Sequence, residues 1–401
     1  MSRFANGSVK NSLKEHIDAV LLQAINKTEN PKSFVNGVGF GITNDKETVY
    51  SNQVGLSNEE KGQEFSSETL FNYWSTTKPI VSTAVLQLYE RGLVDLDAAA
   101  STYLPILKDV KVIKGWDNDE PILKTPETEP TVKQLLLHTS GFAYAFYNED
   151  YRKLLAKYGE PNIFNITEES LKCMPLVFEP GSQFLYGHGL DFAGFIVESV
   201  SGMTLEQYLK ENIFKPAKMN DVTFEVQPKD SDKVLICDSR QSDGSLRPYS
   251  TQPLQTPAKH CGGHGLFGTI ESYLRFIRIW INEGKADDGT QIIKKETWKE
   301  ASQNNLPPNF TTTDFNSTDA ELTKSVKSSD FWSLGFGITR EDSKAGVPKD
   351  SLYWCGLANL FFWIDLKNKI GGYYVTQLFP HADPSIQAYP KLQKIAYDHL
   401  Q

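Results

Sequence analysis

The 401-residue chain reads as an α/β (α+β) protein. The expected architecture is one antiparallel sheet flanked by terminal helices, with a mostly helical region inserted. Two observations predict this: strand patterns sit near both ends of the chain, and helical periodicity fills the middle. Length alone suggests about two to three domains.

The N-terminal end comes first. Leu13, Ile17, Val20, Leu21, Ala24 and Ile25 recur at helical spacing over residues 12–27. Phe34 to Thr43 and Thr48 to Gly55 read as strands around an Asn44-Asp45 turn. In the middle, Thr131 caps a helix over Val132 to Leu137, and Leu190 to Val200 carries a broad apolar stripe. A further helix runs from Glu271 to Glu283 and stops at Gly284. Residues 301–330 are rich in Ser, Thr and Asn and read as a long surface loop. At the C-terminal end, Ser351 to Asp365 and Gly371 to Phe379 read as two strands joined by Lys367-Asn368-Lys369. A final helix follows, with Asp383 as N-cap, Pro384 at its first position, and a kink or late start at Pro390. The expected organisation is a discontinuous α/β sheet domain (1–80 and 240–401), a mainly helical domain (81–239), and a site between them.

Composition excludes several function classes. Lys plus Arg is 41 and Asp plus Glu is 50, a net charge of −9, which disfavours nucleic-acid or anionic-membrane partners. Hydrophobic residues make up 39% and charged residues 23%, which excludes global disorder. Cys173, Cys237, Cys261 and Cys355 form no disulfide framework and no C-x-x-C. The start MSRFANGSVK has no apolar core of a secretory signal, and no apolar run reaches transmembrane length. A cytoplasmic location is expected. The sequons at Asn6, Asn26, Asn165, Asn309 and Asn316 are then chance matches.

Chemistry concentrates at Ser75-Thr76-Thr77-Lys78-Pro79. Neither a G-x-S-x-G elbow nor an H-E-x-x-H motif is present. Pro79 is best tolerated in a first helical turn, so a helix begins close to Ser75. The i, i+3 spacing sets the Lys78 amine beside the Ser75 hydroxyl. A buried lysine loses its proton near neutral pH and activates a serine. His260-Cys261-x-x-His264 has spacing that suits a metal, but a fourth ligand is not evident.

The surroundings are more specific than S-x-x-K. They comprise Phe71 to Pro79, Glu90-Arg91-Gly92-Leu93-Val94-Asp95-Leu96-Asp97 and Leu135-Leu136-Leu137-His138-Thr139-Ser140-Gly141-Phe142. Phe178-Glu179-Pro180-Gly181 through Tyr186-Gly187-His188, Gly262-Gly263-His264-Gly265-Leu266-Phe267 and Trp354-Cys355-Gly356 follow. In order and spacing this chain resembles the serine β-lactamase and penicillin-binding-protein superfamily. It is most similar to class C enzymes, family VIII carboxylesterases and the fungal statin-pathway acyltransferase. The resemblance implies a β-lactamase/transpeptidase-like fold and a covalent acyl-enzyme. It implies Ser75 as nucleophile, Lys78 as its partner and Tyr186 as general base, a phenol that nearby cations would ionise. Ser75 and Leu357 N–H groups would form the oxyanion hole, with His188, Trp354, Cys355, Gly356 and His264 around the substrate.

Two positions depart from the family. His188 replaces the Asn of Y-x-N, with three readings open for it, a hydrogen bond at the site, orientation of Lys78 or simple space-filling, and Trp354 replaces the lysine of K-T-G. In the penicillin-recognising branch that lysine helps bind a carboxylate, so its loss favours neutral substrates. The expected function is hydrolysis of small or medium carboxylic esters, a small-molecule substrate, with no metal and no cofactor. Acyl transfer to an alcohol, β-lactamase or D-peptidase activity, and a catalytically silent binding protein are the alternatives. Oligomeric state is not legible.

Overall fold

A computed structural model describes residues 7–159, 170, 174–308, 310 and 331–400. Cys173, the sequons at Asn6, Asn165, Asn309 and Asn316, and most of the expected 301–330 loop lie outside the described residues.

In chain order the main elements are α1 (Gly7–Ala24), β1 (Gly37–Asn44), β2 (Thr48–Asn58) and β3 (Gln63–Glu64). Then come α2 (Lys78–Glu90), α3 (Val132–Leu136), α4 (Gly189–Ser201) and α5 (Ile270–Ile281). The chain ends with β4 (Phe331–Trp332), β5 (Gly337–Ile338), β6 (Leu352–Gly356), β7 (Leu360–Asp365), β8 (Ile370–Val375) and α6 (Ala388–Asp398). Strands from both ends make one eight-stranded sheet, ordered β4-β5-β6-β7-β8-β1-β2-β3. Its neighbours are antiparallel throughout, with Phe40 opposite Tyr374 where the two ends meet. The expected sheet class is therefore present. Among the described residues no helix is long and apolar enough to cross a membrane.

One expected strand is two. Residues 351–365 turn back at Leu357-Ala358-Asn359 to form the β6–β7 hairpin. Asn359 takes the left-handed conformation (φ +61°), which asparagine tolerates better than most residues. Its side chain donates to the Leu378 and Pro380 carbonyls at 2.8 Å each, fixing the turn against the following chain. A hydrophobic run hides such a turn, because its residues are buried on both sides of it. The final helix shows the expected late start. Asp383 caps a 3₁₀ turn over Pro384–Gln387, and α6 begins only at Ala388. Pro390 thus falls in the first α-helical turn, where its missing N–H costs nothing.

The sheet buries both faces. On one, Leu13, Ile17 and Leu21 of α1 join Val38, Phe40 and Ile42 with Leu392 and Ala396 of α6. On the other, α5 lies so close that a Cβ on Gly39 or Gly41 would stand 2.5 Å from Ile270 Cδ1 or 2.7 Å from Leu274 Cδ1. Small residues in β1 therefore set the helix-to-sheet distance. Arg278 of α5, only 2% exposed, locks this packing. Its guanidinium pairs with Asp287 at 2.7 Å and Glu271 at 3.2 Å, and donates to Thr43 and Thr48 hydroxyls at 2.8 and 2.9 Å.

Removing one side of such a buried network strands the other. Arg278→Ala is expected to destabilise the fold by about 3 kcal/mol. Urea unfolding checks it: the midpoint falls at an unchanged m-value.

Candidate active site

The segment before α2 positions the serine. Trp74 takes φ +47°, a costly conformation for a bulky residue. The surroundings hold it there. Its N–H donates to Asn72 Oδ1 at 2.8 Å, and its indole N–H to Gln377 Oε1 at 2.9 Å. Ser75 follows in a 3₁₀ turn over Trp74–Thr77, and Pro79 lies in the first turn of α2. The Thr76 hydroxyl donates to the Tyr73 carbonyl at 2.6 Å, fastening the turn.

Lys78 is 1% exposed. Its amine donates to Ser75 Oγ at 3.2 Å, to the Tyr144 hydroxyl at 3.1 Å and to the Gly263 carbonyl at 2.7 Å. It also lies 4.7 Å from the Tyr186 ring centre and 5.1 Å from that of Tyr144. Burial pushes the amine down to about 7, against the opposing pull of Asp191 and Cys355. A neutral amine, the state that accepts a proton, is thus well populated near pH 7.

The expected phenolate is not what the environment favours. Tyr186 is 3% exposed, and burial holds its proton on well above the usual range. Hydrogen bonds from Ser75 and Trp354 only partly oppose this. Trp354 Nε1 donates to the Tyr186 oxygen at 3.0 Å. The environment therefore favours a neutral Tyr186 phenol, and among these groups the amine is the one whose proton is lost near neutrality.

Ser75, Tyr144, Tyr186, His264, Trp354, Cys355 and Leu357 line one cavity of about 540 Å³, with Phe146, Tyr147, Trp74 and His381 completing it. Its described lining holds no Lys or Arg. Trp354 forms a flat wall, its ring edge-on to Trp332 at 4.5 Å. Cys355 keeps its proton, pushed up by burial to about 12. A second cavity of about 450 Å³ adjoins the first, sharing Trp74 and His264.

Two expected substrate contacts are not on this wall. His188 is fully buried, and its Nδ1 sits 2.8 Å from Asp191 Oδ2. Its ring stands edge-on to Tyr144, a residue that does line the cavity. Gly356 is closely packed: a Cβ there would stand 3.1 Å from both Trp74 Cβ and the Tyr73 carbonyl. The His260-Cys261-x-x-His264 spacing resolves differently too. His260 turns to Glu225 at 3.0 Å, while Cys261 and His264 meet Asp191 within 4.8 Å. Both Asp191 oxygens already accept hydrogen bonds at 2.8 Å or less, from His188 and the Gly263 N–H.

Tyr144 and Asp191 escaped the sequence reading. Tyr144 sits in the aromatic run Phe142-Ala143-Tyr144-Ala145-Phe146-Tyr147, which by itself reads as core. Asp191 stands three residues after His188, a spacing that does bring the two side chains onto one helix face.

The Beta-lactamase family model matches residues 25–396. Lovastatin esterase of Penicillium rubens is 30% identical over 357 residues, covering 85% of this chain and 88% of that protein. Acyltransferase mokF of Monascus pilosus is 35% identical over 228 residues, 56% of this chain and 54% of that one. Among solved structures, a mutant simvastatin synthase from Aspergillus terreus superposes with a TM-score of 0.83 at 26% identity, over 96% of this chain and 98% of that one. With a family match across nearly its whole length and this fold around Ser75, the chain belongs to the Beta-lactamase family.

Proposed function

We propose that the protein is a serine carboxylesterase that cleaves small or medium neutral esters through an acyl-enzyme on Ser75. The observation that carries this is the Lys78 amine, dry and near-neutral, 3.2 Å from Ser75 Oγ in a cavity walled by aromatic rings. The name of the Penicillium esterase points the same way.

The steps follow from the contacts. Neutral Lys78 takes the Ser75 proton as Oγ attacks the ester carbonyl. The oxyanion forms against the N–H groups of Ser75 and Leu357. As the intermediate collapses, the Tyr186 phenol protonates the departing alkoxide and recovers a proton from Lys78. Water then repeats the sequence in reverse and frees the acid. Trp354 leaves no cation for a substrate carboxylate, which ranks β-lactams and D-peptides below neutral esters.

Acyl transfer is the second reading. The adjoining cavity offers room for an acceptor alcohol, and two of the similar proteins are named for synthesis or acyl transfer. Added alcohol that diverts product from acid to ester would favour it.

Ser75→Ala is expected to lower turnover of p-nitrophenyl butyrate by at least about 1000-fold and to abolish the acyl adduct seen by intact mass. Retained turnover sinks the mechanism. The pH dependence has a definite sign. Protonated Lys78 is inactive as a base, so kcat/KM rises with pH through an inflection near 7. Trp354→Phe keeps an aromatic wall but removes the donor to Tyr186. Steady-state kinetics should show kcat down about tenfold, with KM changed much less.

A further inference from the structure

Behind Lys78 lies a chain of buried groups that the proposed reaction does not use. The amine donates to the Gly263 carbonyl at 2.7 Å. The N–H of the same residue donates to Asp191 Oδ1 at 2.7 Å. Asp191 Oδ2 stands 2.8 Å from His188 Nδ1. Asp191 and His188 are both fully buried. Gly263 fits where a side chain would not: a Cβ there would stand 2.7 Å from Asp191 Oδ1 and 2.8 Å from the Tyr144 hydroxyl.

We propose that Asp191, held by His188, is a positioning residue for Lys78: acting through Gly263, it fixes the amine at Ser75 and governs how firmly that amine holds its proton. This rests on the esterase reading only for its kinetic consequence.

The charges around the amine support the assignment. Tyr144 and Tyr186 face it, as do Cys355 from β6 and His138 from the turn after α3. Burial keeps the two phenols and the thiol protonated and the His138 imidazole neutral. His264 and Cys261 come within 4.8 Å of Asp191, and burial keeps that thiol protonated as well. Burial alone would raise the Asp191 carboxyl, but His188, His264 and Lys78 together hold it below the usual range. It therefore carries a negative charge at every pH where the enzyme would work. That charge opposes the desolvation of Lys78. Without it, the amine would give up its proton at lower pH.

His188 thus has a use at the position where the family carries Asn. It does not reach the cavity. It supplies the carboxylate with a partner, so that the buried charge is not stranded.

The direct test is titration of the Lys78 amine by ¹³Cε NMR on the full chain, assigned with Lys78→Arg. The expected midpoint near 7 moves down by about one pH unit in Asp191→Asn. Asp191→Ala, which removes the same charge, moves it the same way. The Ser75 acylation profile should follow, with its acid limb displaced equally and its alkaline plateau within about tenfold of wild type. A midpoint unmoved in a folded variant overturns the proposal, whatever happens to the plateau. If Asp191→Asn does not fold by circular dichroism, Asp191→Ala decides alone. Absence of any acylation in the wild type, with the midpoint still moving, would instead overturn the esterase reading and leave this inference standing.

Discussion

A lysine amine kept away from water is the constraint on which the site depends. In solvent that amine is charged and useless as a base near pH 7. At 1% exposure its charged form loses hydration, and three oxygen acceptors replace only part of it. The chain must therefore build a dry, closely packed wall around one flexible side chain. The aromatic groups at the site do this. Tyr144, Tyr186, Trp354 and Trp332 contact one another ring to ring, so they exclude water and also fix the phenols that hydrogen-bond to the amine and the serine.

That wall is assembled from distant parts of the sequence, and the sheet is what brings them together. β6 carries Trp354 and Cys355, pairs with β7, and through β8 meets β1 from the other end of the chain. The helix-to-sheet distance set by Gly39 and Gly41 brings α5 onto the sheet. Tyr273 of α5 then donates to the Thr76 carbonyl at 2.9 Å, within the turn that bears Ser75. A shift of the sheet would be felt at Ser75 through this bond. Strain at Trp74 points the same way: a φ of +47° persists only where several contacts over-determine the residue.

What the sequence revealed follows from the range of each interaction. Ser75 and Lys78 are one helical turn apart, so local geometry alone sets them together. The antiparallel sheet and both terminal helices were legible because two-residue and 3.6-residue periods survive in single segments. The turn within residues 351–365 was not, since Asn359 is a single polar residue set between apolar runs. His188 was misplaced for another reason. The motif position was visible, but its partner Asp191 was read only as part of a helix, so the side chain was directed to the substrate rather than to its neighbour. Gly263 contributes through its main chain, which no residue pattern encodes. Tyr186 was found in the right place with the wrong charge: proximity to a cation was weighed, but complete burial acts more strongly on a phenol.

That last difference reorders the chemistry. With the phenol neutral and the amine near 7, the proposed reaction has both a base and an acid at the same pH, and the two need not compete for one proton. The arrangement works only if no further cation enters. A lysine at position 354 would add a positive charge beside Lys78 and draw the Tyr186 proton off more easily, favouring the opposite assignment of acid and base. Tryptophan there donates one hydrogen bond to Tyr186 without a formal charge. In the proposed reading, the residue that stands where the family carries a carboxylate-binding lysine is thus also the residue compatible with a neutral phenol.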